Sequence, residues 1–102
     1  MPDNFWDAIR TQLKELESAK SADDVLRILA HENDPDQTYP RANRPDEGFF
    51  GGSGGEDTVR EALEEAGWTV LWSRDWCWYA MTALDGSVIT YCEGDIYRGD
   101  RR

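Results

Sequence analysis

The sequence predicts an α+β domain: two N-terminal helices, a glycine-rich connection, then a helix leading into a three-stranded antiparallel β-meander. Three observations carry that expectation. Apolar residues in the first third recur at three- and four-residue steps, the helical period. Four of the five tryptophans crowd between Trp68 and Trp78, in a stretch whose residues suit a pleated surface. Asp85-Gly86 then separates two alternating runs, a strong hairpin signal.

The first helix is expected to start near Asp3 or Asn4, either of which can cap free backbone N–H groups. Phe5, Trp6, Ile9, Leu13 and Leu16 form its apolar stripe, with Arg10, Lys14, Glu15 and Glu17 on the solvated side. Ser21 opens the second helix. Asp23 and Asp24 lie in its first turn, where carboxylates suit the positive end of the dipole. Val25, Leu26, Ile28 and Leu29 face the core, and Asn33-Asp34-Pro35 ends it.

Residues 33–55 form a long connection with Pro35, Pro40, Pro45 and the run Gly48-Phe49-Phe50-Gly51-Gly52-Ser53-Gly54-Gly55. Connections of this length are functional or disordered more often than not. Phe49 and Phe50 are the expected pins to the core. The third helix, capped at Ser53 or Asp57, buries Val59, Ala62, Leu63 and Ala66, with Gly67 as its left-handed terminator. Strands are expected at about Trp68 to Trp72, Trp76 to Leu84 and Ser87 to Tyr91. A single domain thus spans 1–102, with a helical pair over 1–32 and the helix and meander over 56–102.

Composition narrows the function. At 102 residues and 11.7 kDa, the chain can bury one modest core. Hydrophobic content of 39% argues against global disorder despite a mean hydropathy of -0.74. The formal charge of -10 repels phosphate backbones and anionic lipid, so no direct nucleic-acid or membrane binding is expected. Two cysteines do not make a secreted disulfide framework, and Met-Pro-Asp-Asn does not open a signal peptide. A cytoplasmic protein is expected.

Strand register separates two faces. Two-residue loops at Arg74-Asp75 and Asp85-Gly86 place Trp68, Val70, Trp72, Cys77, Tyr79, Met81, Ala83, Val88, Thr90 and Cys92 together. That set is the expected core side, with both thiols reduced and buried. The other side collects Leu71, Trp76, Trp78, Ile89, Tyr91, Glu93 and Asp95 among small polar residues. Either the N-terminal helices cover this side, or its aromatics beside carboxylates form a partner site, with these seven residues as the candidate partner-binding set.

Other chemistry fits poorly. Gly51-Gly52-Ser53-Gly54-Gly55 matches the G-x-S-x-G of serine hydrolases, but no clear strand delivers Ser53, and His31 is the sole histidine. The same loop lacks the Lys-Ser/Thr ending of a phosphate-binding loop. Cys77 and Cys92 have no further ligands to complete a metal site. Glu93 and Asp95 lack the deep groove a glycosidase pair requires. No catalytic residue, cofactor or metal is expected.

The ending Ile89-Thr90-Tyr91-Cys92-Glu93-Gly94-Asp95-Ile96-Tyr97-Arg98-Gly99-Asp100 resembles those of small uncharacterised proteins from actinobacterial phages. The resemblance covers the last third of the chain and implies a phage or prophage setting, where small acidic proteins bind host machinery. The expected function is a non-enzymatic interaction module, a modulator or inhibitor of a host protein, or a self-associating domain. One rival is a nucleic-acid mimic carried by the helices, since 16 of 21 acidic residues precede Trp68. Another is a small-ligand binder or enzyme using the glycine-rich loop.

Overall fold

The computed structural model describes residues 3–29, 47–50, 58–75 and 77–101. His31, Ser53 with its glycine run, the Asp57 cap, Trp76 and most of the 33–55 connection lie outside the described residues. The elements are α1 (Asp3–Leu16), α2 (Ala22–Ile28), β1 (Glu47–Phe49), α3 (Thr58–Glu65), β2 (Thr69–Asp75), β3 (Trp78–Thr82), β4 (Val88–Cys92) and β5 (Asp95–Arg98). The class is α+β, as the sequence predicts. The sheet, however, has five antiparallel strands in the order β1-β5-β4-β3-β2 rather than three.

The helix ends follow local chemistry. Ser21 caps α2: its Oγ accepts the Asp24 N–H at 3.2 Å, and Asp24 Oδ2 accepts the Lys20 N–H at 2.9 Å. That second bond, helped by Arg27, holds the Asp24 carboxyl below the usual range. α3 ends in a Schellman turn. Gly67 sits at φ 98, the Trp68 N–H reaches the Leu63 carbonyl at 3.0 Å, and the Gly67 N–H reaches that of Glu64 at 3.0 Å.

Both extra strands come from turns of low sequence profile. Glu93 and Gly94 take positive φ of 50 and 97, a two-residue turn that pairs Cys92 with Asp95 and folds β5 back on β4. Glu-Gly is a weaker signal for that turn than Asn-Gly. β1 arises within the connection and pairs with β5, while the Phe50 N–H bonds the Gly94 carbonyl at 2.8 Å. Phe50 is fully buried, so it is one of the expected pins.

The β3–β4 register departs from expectation by one residue. Ala83 pairs with Ser87 across a three-residue loop, with Gly86 at φ 89 and its N–H on the Ala83 carbonyl at 3.0 Å. This is a type I turn closed by a bulged glycine. Tyr79 therefore faces Tyr91, and Met81 faces Ile89. A one-residue slip exchanges the faces of a strand. Ile89 and Tyr91 thus join the core, whereas Val88, Thr90 and Cys92 turn outward. β2 is corrected as well, by irregularities between Val70 and Trp72 and between Ser73 and Asp75. A bulge breaks strict alternation, so Val70 faces the core while Trp72 pairs with Ala80 on the outside.

The helices pack on one face of the sheet. Leu16, Val25, Leu29 and Leu63 meet Tyr79, Met81, Ile89 and Ile96 in a single buried cluster. Trp68 enters it and donates its indole N–H to the Ala19 carbonyl at 2.9 Å. Among the described residues, no helix is long and apolar enough to cross a membrane.

Two predictions follow from the joints of this fold. A Cβ built on Gly48 would lie 2.5 Å from the Leu29 carbonyl oxygen, which also accepts the Phe49 N–H at 2.7 Å. Gly48→Ala should therefore cost about 1–3 kcal/mol in urea unfolding. Asp85 Oδ1 accepts the Ser87 hydroxyl at 2.5 Å and its N–H at 2.9 Å, and these bonds hold the carboxyl below the usual range. Such a group stabilises the fold fully above its unfolded pKa of about 3.9, and the contribution is lost as pH falls through the lower folded value. Asp85→Asn should lower the melting temperature at neutral pH and shrink its further decline in acid.

Candidate functional site

Away from the helices, the outer sheet face is organised in three cross-strand rows. One row runs Asp75, Trp78, Cys92, Asp95, Phe49. A second runs Trp72, Ala80, Thr90, Tyr97, Glu47, and a third Thr69, Thr82, Val88. Directly paired residues share a face, so each row is a line of adjacent side chains.

The chain's own C-terminal segment straps the second row. Gly99, at φ 88, turns the backbone, and its N–H bonds the Val88 carbonyl at 2.7 Å. The Thr90 hydroxyl donates to the Gly99 carbonyl at 2.7 Å and accepts the Arg101 N–H at 2.9 Å. The Trp72 indole N–H donates to Asp100 Oδ1 at 2.8 Å. Arg101 lies over the Tyr97 ring, 5.4 Å from its centroid. The strap explains why Ala80 and Thr90, which face away from the helices, are only 0% and 1% exposed.

Beside the strap stands an aromatic cluster. The Trp72 and Trp78 rings meet edge-on, with centroids 6.1 Å apart and planes at 78°. The Arg74 guanidinium sits 4.6 Å from the Trp78 centroid and 5.9 Å from that of Trp72. Edge-on aromatics and a cation on a ring face are both attractive geometries. The indoles are half-buried, whereas Arg74 and Asp75 are exposed. Asp95, Cys92 and Phe49 continue the line, each half-buried.

No family model matches this chain. No curated protein and no solved structure matches it either. The site's chemistry therefore rests on its own geometry.

Of the seven expected partner residues, the structure keeps Trp78 and Asp95 on the outer face. Glu93 is exposed at the β4–β5 turn, and Leu71 is 45% exposed beside the β2 irregularity. Ile89 and Tyr91 are under the helices, where Tyr91 stacks on Tyr79 at 4.9 Å. Trp76 lies outside the described residues. Sequence reasoning missed Trp72 and Arg74. Their i, i+2 spacing on a strand was the available signal, masked by assigning Arg74 to a turn.

The cysteines also depart from expectation. Cys77 packs against the core cluster and Cys92 faces outward, so they do not share a side, and both are half-buried and free. The Cys77 thiol donates to Asp75 Oδ1 at 3.2 Å, which pushes its pKa up, because the bond favours the protonated form. Burial, then Glu93 and Asp95, push Cys92 up too. Glu93 and Asp95 occupy a turn and a strand face and do not face each other across a groove. Among the described residues, no group of three His, Cys, Asp or Glu side chains is placed to hold a metal ion.

Thiolate, not thiol, reacts with alkylating agents. Iodoacetamide should therefore label both cysteines of the native protein more slowly near pH 8 than in the denatured chain. Asp75→Asn should speed labelling of Cys77 and leave Cys92 unchanged. Equal rates at both sites in native and denatured protein would refute the assignment.

Proposed function

We propose that this chain is a non-enzymatic protein-interaction module that binds a partner through the outer sheet face. The observation that carries the reading is the Trp72–Arg74–Trp78 cluster on the side of the sheet away from the helices. Tryptophan and arginine are the residue types that most often dominate binding energy. Here they are held in place before any partner arrives, Trp72 by Asp100 and Trp78 by Arg74. A pre-ordered anchor loses less side-chain entropy on association.

Carboxylates complete the surface. Asp75 and Asp95 lie in the Trp78 row and Glu93 at the adjoining turn, so the rim favours a partner with basic residues. A modulator of a host protein is the form of this proposal that a phage or prophage setting would suit. Self-association through the same face is the competing arrangement, and sedimentation of the purified protein separates the two.

The test compares stability with binding. A buried core Trp→Ala change typically costs about 3–5 kcal/mol of stability. For a half-exposed Trp78, the expected loss is about 1–2 kcal/mol, because only part of the ring leaves a packed environment. Binding to a captured host protein, or dimer formation, should weaken by about 2 kcal/mol or more in Trp78→Ala. Arg74→Ala should weaken it in the same direction. Severe unfolding of Trp78→Ala, or unchanged binding in both variants, would remove the proposed face.

A further inference from the structure

On the opposite side of the molecule, a groove of about 370 Å³ runs between α1 and α3, lined by Leu13, Glu17, Glu61, Ala62 and Glu65. We propose that this groove docks a basic amphipathic segment of a partner protein, with aliphatic side chains on Leu13 and Ala62 and cations at the three glutamates. The proposal stands independently of the sheet face.

The groove has room for side chains. The volume falls at the low end of the roughly 300–1,000 Å³ typical of ligand pockets. Its floor is apolar: Ala62 is buried and Leu13 packs against the core. Leu13 and Glu17 are four residues apart, as are Glu61 and Glu65, so each pair presents one stripe of a helix to the groove. The Glu17 N–H still bonds the Leu13 carbonyl at 3.3 Å, which keeps Glu17 in the helical turn.

Charge identifies the occupant. Helix C-termini carry partial negative charge and favour cations. Here the last turn of α3 contains no basic residue, and Glu65 stands in it. Glu17 follows directly on the end of α1. Both helix ends therefore bring like charge to the same groove. Glu61 and Glu65 also repel each other at i, i+4.

Among the described residues, no lysine or arginine lines the groove. Lys14 belongs to the last turn of α1 but is not among the lining residues. Arg60 turns to the other side of α3, where it pairs with Glu64 at 3.9 Å, reaches Ser73 and lies over Tyr79. The repulsion is thus uncompensated within the groove, and a cationic partner is what relieves it. Anionic or neutral ligands would leave it in place.

The experiment uses the full chain and a synthetic helical peptide with lysines on one face and leucines on the other. Amide chemical-shift mapping should place the peptide at Leu13, Glu17, Glu61, Ala62 and Glu65. Glu61→Gln with Glu65→Gln should weaken binding about tenfold and leave the melting temperature equal or higher. The matched control, Glu15→Gln with Glu64→Gln, removes the same charge elsewhere and should change affinity less than about twofold. Three results would overturn the proposal. They are equal weakening by the control pair, shifts centred away from the groove, and the same shifts produced by magnesium alone, which would make the groove a counter-ion patch.

Discussion

Everything about the sheet depends on the register of the β3–β4 hairpin, and a single turn holds it. Asp85 grips the hydroxyl and N–H of Ser87, and Ser87 Oγ in turn accepts the Ala22 N–H at 2.8 Å. One aspartate thus closes the hairpin and fastens it to the first residue of α2, whose N–H would otherwise lack a helical partner. With Ala83 opposite Ser87, Tyr79 must stack on Tyr91 beneath the helices, and Thr90 must face outward. Thr90 is then the residue that the C-terminal strap needs, since its hydroxyl bonds the strap on both sides. Core, helix docking and surface cover are consequences of the same one-residue choice.

The irregularities of β2 act at the other end of the sheet. β2 is an edge strand, and long regular edges invite pairing with other chains. Two shifts of register within seven residues twist this edge away from a flat template. Arg74 and Asp75 add exposed charge of both signs. The same shifts carry Trp72 to the outer face, where its indole N–H meets Asp100. Protection of the edge and assembly of the aromatic cluster therefore have one structural cause. That favours recognition through side chains on the sheet face over addition of a partner strand.

Helices were legible in the sequence because their signals are local. The Ser21 cap, the Gly67 terminator and the apolar stripes each depend on residues within a turn or two. The inward set of β3, Tyr79 and Met81, with Ala83 just beyond its end, was equally readable from alternation. What failed was the joining of strands. Asp85-Gly86 serves a two-residue or a three-residue loop equally well, and the difference of one residue reverses β4. Tyr91 and Ile89 were therefore assigned to the surface, although their bulk suits a core. Bulges leave no single-residue mark, so Trp72 was placed inside. β1 and β5 were missed because one grows from a proline- and glycine-rich connection and the other follows a Glu-Gly turn. On the outer face, alternation places Trp78 and Asp95 correctly, whereas the Arg74 bridge and the strap needed three dimensions.

The size of the open face sets what it can do. Five strands span about 19 Å at the usual strand spacing. The strap covers the middle of the second row, over Ala80 and Thr90, but leaves Trp72 half-exposed, so the free strip around Trp72 and Trp78 offers on the order of 200–300 Å². A stable complex needs roughly 800 Å² from each side. The aromatic strip cannot supply a whole interface, but it matches the few central residues that carry most of the binding energy. The remaining area must come from its surroundings: the exposed β2 edge with Leu71, the turn bearing Asp75, and the turn bearing Glu93. The two turns are charged, as the rim of a hot spot requires, and Leu71 adds exposed apolar area. In the proposed interface the two indoles form the centre, and Asp75, Asp95 and Glu93 give it an acidic periphery.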